Sequence, residues 1–479
     1  MTTIDRRAFL KRGAAVTAGT LLASTATQAL AAHGALAAPG RRGQDLKAPA
    51  NGGYGPLGPV QDRTTGLPLL FLPAGFEYAS FGHGVDFDSG GVGPYTGSDG
   101  FVTPGRHDGM ATFATADRHM IRLVRNHEQG YDPVAGDARR DYDRLLIGKA
   151  DNAYDQTAAG GCTTLTFDTR TLTLTDSFIS LNGTSVNCAG GIYGSSWLSC
   201  EETVEGTRDG FAKDHGYIFE VPSQQNAPVS DPVPYKAMGR FRHEAVAVDP
   251  ASGIVYETED AGRTNSGFYR FLPNDAADLA AGGRLQMLAI KEQPRFATYE
   301  GVSDRVGNPL PVTWVDIPRP DPSDAATDSV FQQGTQAGGA AFARLEGCWF
   351  DGGSVFFNAT SGGDARAGQV WEYRPRGRSG GQLILVFESP SKDVLDAPDN
   401  ITVSPRGGLV LCEDGGGEQY VRGLNERGEI FDFAVNNVDE ENNEFAGACF
   451  SPDGNVMFVN IQTPGVSFAI RGPWEKGSL

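Results

Sequence analysis

The chain has 479 residues, 40 Lys and Arg against 59 Asp and Glu, and a formal net charge of −19. With 64 Gly, 28 Pro and 39% apolar residues it reads as turn-rich and globular, not disordered. The acidic balance argues against a nucleic-acid or anionic-membrane partner, which would need basic patches.

The N-terminus reads as an address. Asp5-Arg6-Arg7-Ala8-Phe9-Leu10-Lys11 leads into a mild apolar run, Ala14 to Ala26, and then the small residues Ala29-Leu30-Ala31. This pattern predicts a twin-arginine (Tat) signal over 1–31, export by the Tat machinery, and a periplasmic or extracellular destination. The run is too short and too polar to stay in a bilayer, and no other window approaches 18 apolar residues, so no membrane span is expected. Residues 32–64, rich in Ala, Gly, Pro and Arg, read as a linker. Six cysteines follow, none in CxxC spacing, which argues against a zinc ribbon or thioredoxin-type site. Cys348, Cys412 and Cys449 lie in apolar runs and read as buried small hydrophobes.

From about residue 65 onward, short apolar runs alternate with turn clusters. The most regular unit is strand, tight turn, strand. It occurs at 245–256, 347–357, 401–411 and 448–459, and less neatly at 110–124 and 190–200. The turn markers Asp249, Asp351, Ser404 and Ser451 are spaced 102, 53 and 47 residues apart. A period near 50 with four short strands per unit is the signature of a β-propeller. The reading is therefore all-β: a single six-bladed propeller over 65–479 with decorated loops and short helices. Residues 271–340 are expected partly outside the blade template, with a strand, a short helix near 275–281, and loops.

Acids recur at one place in the repeat. Asp108, Glu244, Glu346, Asp399 and Glu444, with Cys188 in register, stand just before the first strand of their units. Asn126-His127-Glu128, Glu201-Glu202, Glu259-Asp260, Asn358, Glu413-Asp414 and Asn460 stand just after the second. Propeller blades are related by rotation about a channel, so equivalent strand ends converge on one rim. The expectation is a ring of oxygen donors at one channel mouth. Such a ring needs cations, and Ca²⁺ with its six to eight oxygen ligands suits it. A thiolate beside carboxylates is compatible with iron. Neighbouring strand positions should also put Arg344 and Glu346 on one face. No GxSxG elbow, HExxH, Walker loop or EF-hand is found. His107 and His127 flank two acidic clusters and read as structural rather than as proton shuttles.

These residues resemble the motifs of the PhoX alkaline phosphatase family. The resemblance rests on Arg106-His107-Asp108-Gly109-Met110, Arg125-Asn126-His127-Glu128, Asn187-Cys188-Ala189-Gly190-Gly191 and Cys200-Glu201-Glu202-Thr203. It continues through His243-Glu244-Ala245, Arg344-Leu345-Glu346-Gly347-Cys348-Trp349, Pro398-Asp399-Asn400, Phe445-Ala446-Gly447 and Asn460-Ile461-Gln462-Thr463-Pro464. The family resemblance implies a six-bladed propeller that hydrolyses phosphate monoesters outside the cytoplasmic membrane, with a mixed cluster of Fe³⁺ and Ca²⁺ as cofactor. It implies an iron ligand at Cys188, metal ligands at Glu244 and Glu346, and a phosphate contact at Arg344. Where the family carries Asn after the Glu pair this chain has Thr203, a shorter hydroxyl donor.

The expected site is thus Arg344, Thr203 and Cys188 for catalysis. Its metal ligands are Cys188, Glu201, Glu202, Glu244, Glu259, Asp260, Glu346, Asp108, Glu128, Asp399 and Glu413. The expected enzyme is a monomer acting on small phosphate esters. Two rival readings are a calcium-dependent propeller hydrolase of lactones or phosphodi- and triesters, and a non-catalytic exported propeller with structural Ca²⁺. The first makes activity independent of iron and of Cys188. The second predicts stability loss on metal removal and no turnover.

Overall fold

The computed structural model describes residues 51–130, 152–325, 327–438 and 443–479. The twin-arginine segment lies outside the described residues. Part of the expected linker does not: Leu57–Val60 is a strand paired antiparallel with Leu70–Pro73. Tyr54 is buried, and its hydroxyl donates to the Leu479 carbonyl at 2.8 Å. The folded part therefore begins before residue 65, because Tyr54 and the Leu57 strand cover an apolar edge.

The fold is all-β and propeller-like, with one short α-helix among the described residues, Val330–Gln336. Five antiparallel sheets hold the strands. Six strands line the centre: His107–Ala114, Asn187–Tyr193, His243–Val248, Leu345–Asp351, Pro398–Val403 and Phe445–Phe450. They pack in that order, the last against the first. Each pairs outward with the next strand in sequence. Both faces of these sheets are covered by neighbouring sheets, so the strands read as continuous apolar runs; Val456–Ile461 is buried throughout. Aromatic rings fill the gaps, as where Phe268 stacks on Phe357 at 4.3 Å between ring centroids. Burying each such ring contributes about 1.5–3 kcal/mol.

Residues 271–340 belong to the sheets more than the sequence suggests. Gly283–Ile290 pairs with Phe268–Pro273, and Leu310–Asp316 bridges on to Gly380–Glu388. Two meanders thereby merge into one nine-stranded sheet. The expected helix near 275–281 is a single 3-10 turn, Leu279–Ala281, capped by Asp278. The real helix, seven residues long, opens with a capping box between Ser329 and Gln332. Cys348, Cys412 and Cys449 are core residues as expected, and all six cysteines are free.

Candidate metal centre

Every central strand has the same irregularity. Its first residue pairs in register with the outer strand, and the register then shifts within the next few residues. A β-bulge bends the strand and re-aims one side chain. In five strands the re-aimed residue is Asp108, Cys188, Glu244, Glu346 or Asp399; the sixth has Ala446, and Glu444, just ahead of that strand, supplies the acid instead. Glycine makes the bulges compact. A Cβ on Gly109 would collide with Ala189, one on Gly347 with Asn400 and Ile401, and one on Gly447 with the Asp108 carbonyl. Asn126 Nδ2 donates to the carbonyls of Cys188 and Ala189 at 3.1 and 2.7 Å. Asn358 and Asn460 reach the carbonyls of Asp399 and Asp108 in the same way, at 2.7 and 2.6 Å. These three asparagines, expected in the donor ring, clamp neighbouring bulges instead.

The outcome is one cavity of about 210 Å³ at a single end of the ring. Asp108, Glu128, Cys188, Glu202, Glu244, Glu346 and Asp399 line it, as expected, with Arg344. Asp414, Glu444, Arg106 and Gln462 complete the lining. Asp260 stands at its edge, bound to Arg344 Nε at 2.9 Å.

Four expected residues are elsewhere. Glu201 accepts from Ser185 N, His215 Nδ1, Gly216 N and Tyr217 N. Glu259 accepts from Gly267 N and from the Tyr269 hydroxyl at 2.5 Å. Glu413 accepts from Asp396 N and Arg422 Nε. In each acidic pair the first member ends the strand and is satisfied inside the sheet. The second member leaves the strand and turns inward, as Glu128 does after His127. Thr203 is buried off the cavity lining and its Oγ1 accepts from Glu205 N at 3.1 Å. His107 and His127 are buried and bound to backbone carbonyls of Pro104 and Gly105, as expected of structural histidines.

Arg344 and Glu346 share the cavity for a different reason than strand alternation. Arg344 precedes the strand in a left-handed backbone, φ 48°, and the bulge turns Glu346 toward it. Arg106, at the equivalent place, has φ 49°. Arg106 and Gln462 stand in the motifs above without an expected role; their alignment with Arg344 and Glu128 in the repeat is the signal that marks them.

The electrostatics are those of crowded acids. Burial first, then neighbouring carboxylates, push Asp108, Glu202, Glu244 and Glu346 well above the usual range. Asp399 is raised to about 8 by burial and Asp414. Burial, then Glu244 and Glu202, raise the Cys188 thiol, whose Sγ lies 3.4 Å from Glu202 Oε2. Asp108 Oδ1 and Glu244 Oε1 are buried with no hydrogen-bond partner among the described residues. Three sets of donor atoms each lie within 4.8 Å: Cys188, Glu202 and Glu244; Asp108, Glu128 and Glu444; Glu244, Glu346 and Asp399. A donor set with unpartnered oxygens and mutually raised acids fits multivalent cations, which reverse the local pKa logic.

The profile of the family described as alkaline phosphatase PhoX matches residues 52–176 and 168–465. The chain belongs to the PhoX family. That membership places it among alkaline-phosphatase-type hydrolases. Among solved structures it is similar to Pseudomonas fluorescens PhoX in complex with vanadate, a transition state analogue. The TM-score is 0.60 at 17% identity, over 88% of this chain and 99% of that chain, a likeness of fold. Two gluconolactonases are more distant. XC5397 from Xanthomonas campestris has TM-score 0.34 at 12% identity, over 77% of this chain and 97% of that one. PpgL from Pseudomonas aeruginosa has 0.38 at 14%, over 81% and 89%. No curated protein matches the chain. No helix among the described residues is long and apolar enough to cross a membrane.

Proposed function

We propose that this protein is an exported phosphatase that hydrolyses small phosphate monoesters with cations held at the mouth of a six-bladed propeller. One observation carries the reading: eight carboxylates, one thiol and two arginines from all six central units meet in a single cavity. A phosphate monoester is a dianion, and a cavity this acidic can admit it only when cations outweigh the acids.

Cys188, Glu202 and Glu244 would hold the ion that tolerates sulfur, Fe³⁺ by family analogy. The two all-oxygen sets, one of which shares Glu244 with the first, suit Ca²⁺. Bound there, the ions would supply charge neutralisation and Lewis-acid polarisation of the phosphoryl oxygens. Arg344 contributes the chain's own donors. Its Nε is fixed by Asp260 and its Nη2 by Glu346, both at 2.9 Å. The guanidinium is thus oriented before substrate arrives and meets equatorial phosphoryl oxygens without reorganising. Burial, then Arg125, lowers the pKa of His107 and His127, which accords with their structural bonding to backbone carbonyls. The reading includes Tat export through residues 1–31, a periplasmic or extracellular location, and a monomer.

Elemental analysis of the purified protein together with a p-nitrophenyl phosphate assay tests this. Iron and calcium with turnover support it. A metal-free protein, or a metallated one that leaves the ester intact, ends it in favour of a binding propeller.

A further inference from the structure

Arginine recurs two residues before the re-aimed acid in three of the six units: Arg106, Arg242 and Arg344. Two of them, Arg106 and Arg344, line the cavity. The strands they precede stand three places apart in a ring of six, so the two guanidiniums approach from opposite sides. Their construction is the same. Both residues take the left-handed backbone that Val186 and Ala397 adopt at the equivalent place in two other units, so the bulge aims both side chains alike. Arg344 spends Nε and Nη2 on Asp260 and Glu346. Arg106 spends Nε on the Glu128 carbonyl at 2.7 Å and Nη2 on the Glu128 carboxylate at 2.9 Å. In both, no hydrogen bond from Nη1 is seen among the described residues, and the side chains remain 41% and 37% exposed.

A guanidinium beside Asp108, Glu128 and Glu444 weakens that group's hold on a cation. Its placement in the cavity wall, held at Nε and Nη2 like Arg344 and with Nη1 unspent, calls for an anionic ligand on its side as well. We propose that Arg106 is a second anion clamp. The preferred substrates are then phosphate monoesters carrying another anionic group, a carboxylate or a second phosphate, a few bonds from the ester. This rests on the phosphatase reading and deepens it: Arg344 takes the phosphoryl group that is cleaved, and Arg106 takes the distal anion.

The test compares kcat/KM of the metal-loaded enzyme on 3-phosphoglycerate with that on glycerol 2-phosphate, which lacks the carboxylate. The wild type should prefer 3-phosphoglycerate. Arg106→Gln should lower that ratio about 10-fold, the worth of one charge-assisted hydrogen bond, chiefly through KM. Arg106→Lys should restore part of it. An unchanged ratio in Arg106→Gln, or a wild type indifferent to the carboxylate, overturns the clamp while p-nitrophenyl phosphate turnover still upholds the phosphatase. A wild type inactive on all three esters overturns both.

Discussion

Glu201 and Glu202 are consecutive, buried or nearly so, and have opposite fates. Glu201 faces the outer layer of its sheet. It receives three backbone N–H groups and sits 2.6 Å from His215 Nδ1, while Asp155 lies 3.5 Å from His215 Nε2. Glu202 faces the channel, and its nearest hydrogen-bond partner is the Cys188 thiol. Glu201 is compensated by the chain's own donors. Glu202 joins carboxylates that come from all six central units to one point. A buried charge without a partner is too costly to persist as an accident of packing. The contrast separates the metal centre from its scaffold more sharply than acidity alone does.

Substitutions on the channel side should destroy activity, and those on the sheet side should destroy stability. Glu244 belongs to two donor sets, so Glu244→Gln should cost on the order of 10³-fold in kcat on p-nitrophenyl phosphate, several kcal/mol of lost cation stabilisation. Cys188→Ser should additionally abolish any thiolate-to-iron absorption; a spectrum identical to wild type would remove Cys188 from the ligand set. Arg344→Ala should lower kcat/KM by about 10²-fold while moving the Tm by only a few degrees. Comparable losses in both would make Arg344 a structural residue.

On the sheet side, His215→Gln should destabilise by about 3–5 kcal/mol in denaturant titration, because Glu201 and Asp155 lose their shared cation. The smallest effect is a pH slope. Burial alone would depress the His215 pKa, but Glu201 and Asp155 outweigh it and raise it to about 9. A raised pKa means the stabilisation is complete below about pH 6.5 and fades as pH climbs through about 9. The Tm of the wild type should therefore decline over that window, and the decline should be shallower in His215→Gln. A flat wild-type profile would mean His215 is neutral in the folded protein.

The repeat and the acids before each first strand were legible because both follow strand periodicity. Asp108, Cys188, Glu244, Glu346 and Asp399 all reached the cavity. The acids after the second strands were legible only as pairs. Which member turns inward depends on where hydrogen bonding to the sheet stops, and neighbouring residues of the same type carry no such mark. Glu201, Glu259 and Glu413 were therefore misplaced, and Asp414 was passed over beside Glu413. Thr203 was placed by analogy with a motif, and the backbone at Glu202 carries it away from the channel. Gly283–Ile290 is the fourth strand of its meander, while Leu310–Asp316 lies beyond the four-strand template and joins that meander to the next, which strand periodicity does not mark. Leu57–Val60 was hidden by the glycines and prolines around it.

The strand Glu77–Phe81 completes the last sheet by pairing with Val466–Arg471. This has a consequence for biosynthesis. Asp108 and Glu128 are made early, yet they share a donor set with Glu444, and Gln462 hydrogen-bonds the Glu128 carboxylate. A ribosome-bound chain can present only fragments of that ligand set until it has extruded residues beyond 471. Cations held there as proposed would therefore load only after translation. A stalled or truncated product would carry a cluster of unneutralised acids at an open edge, which leaves it unstable and open to proteolysis.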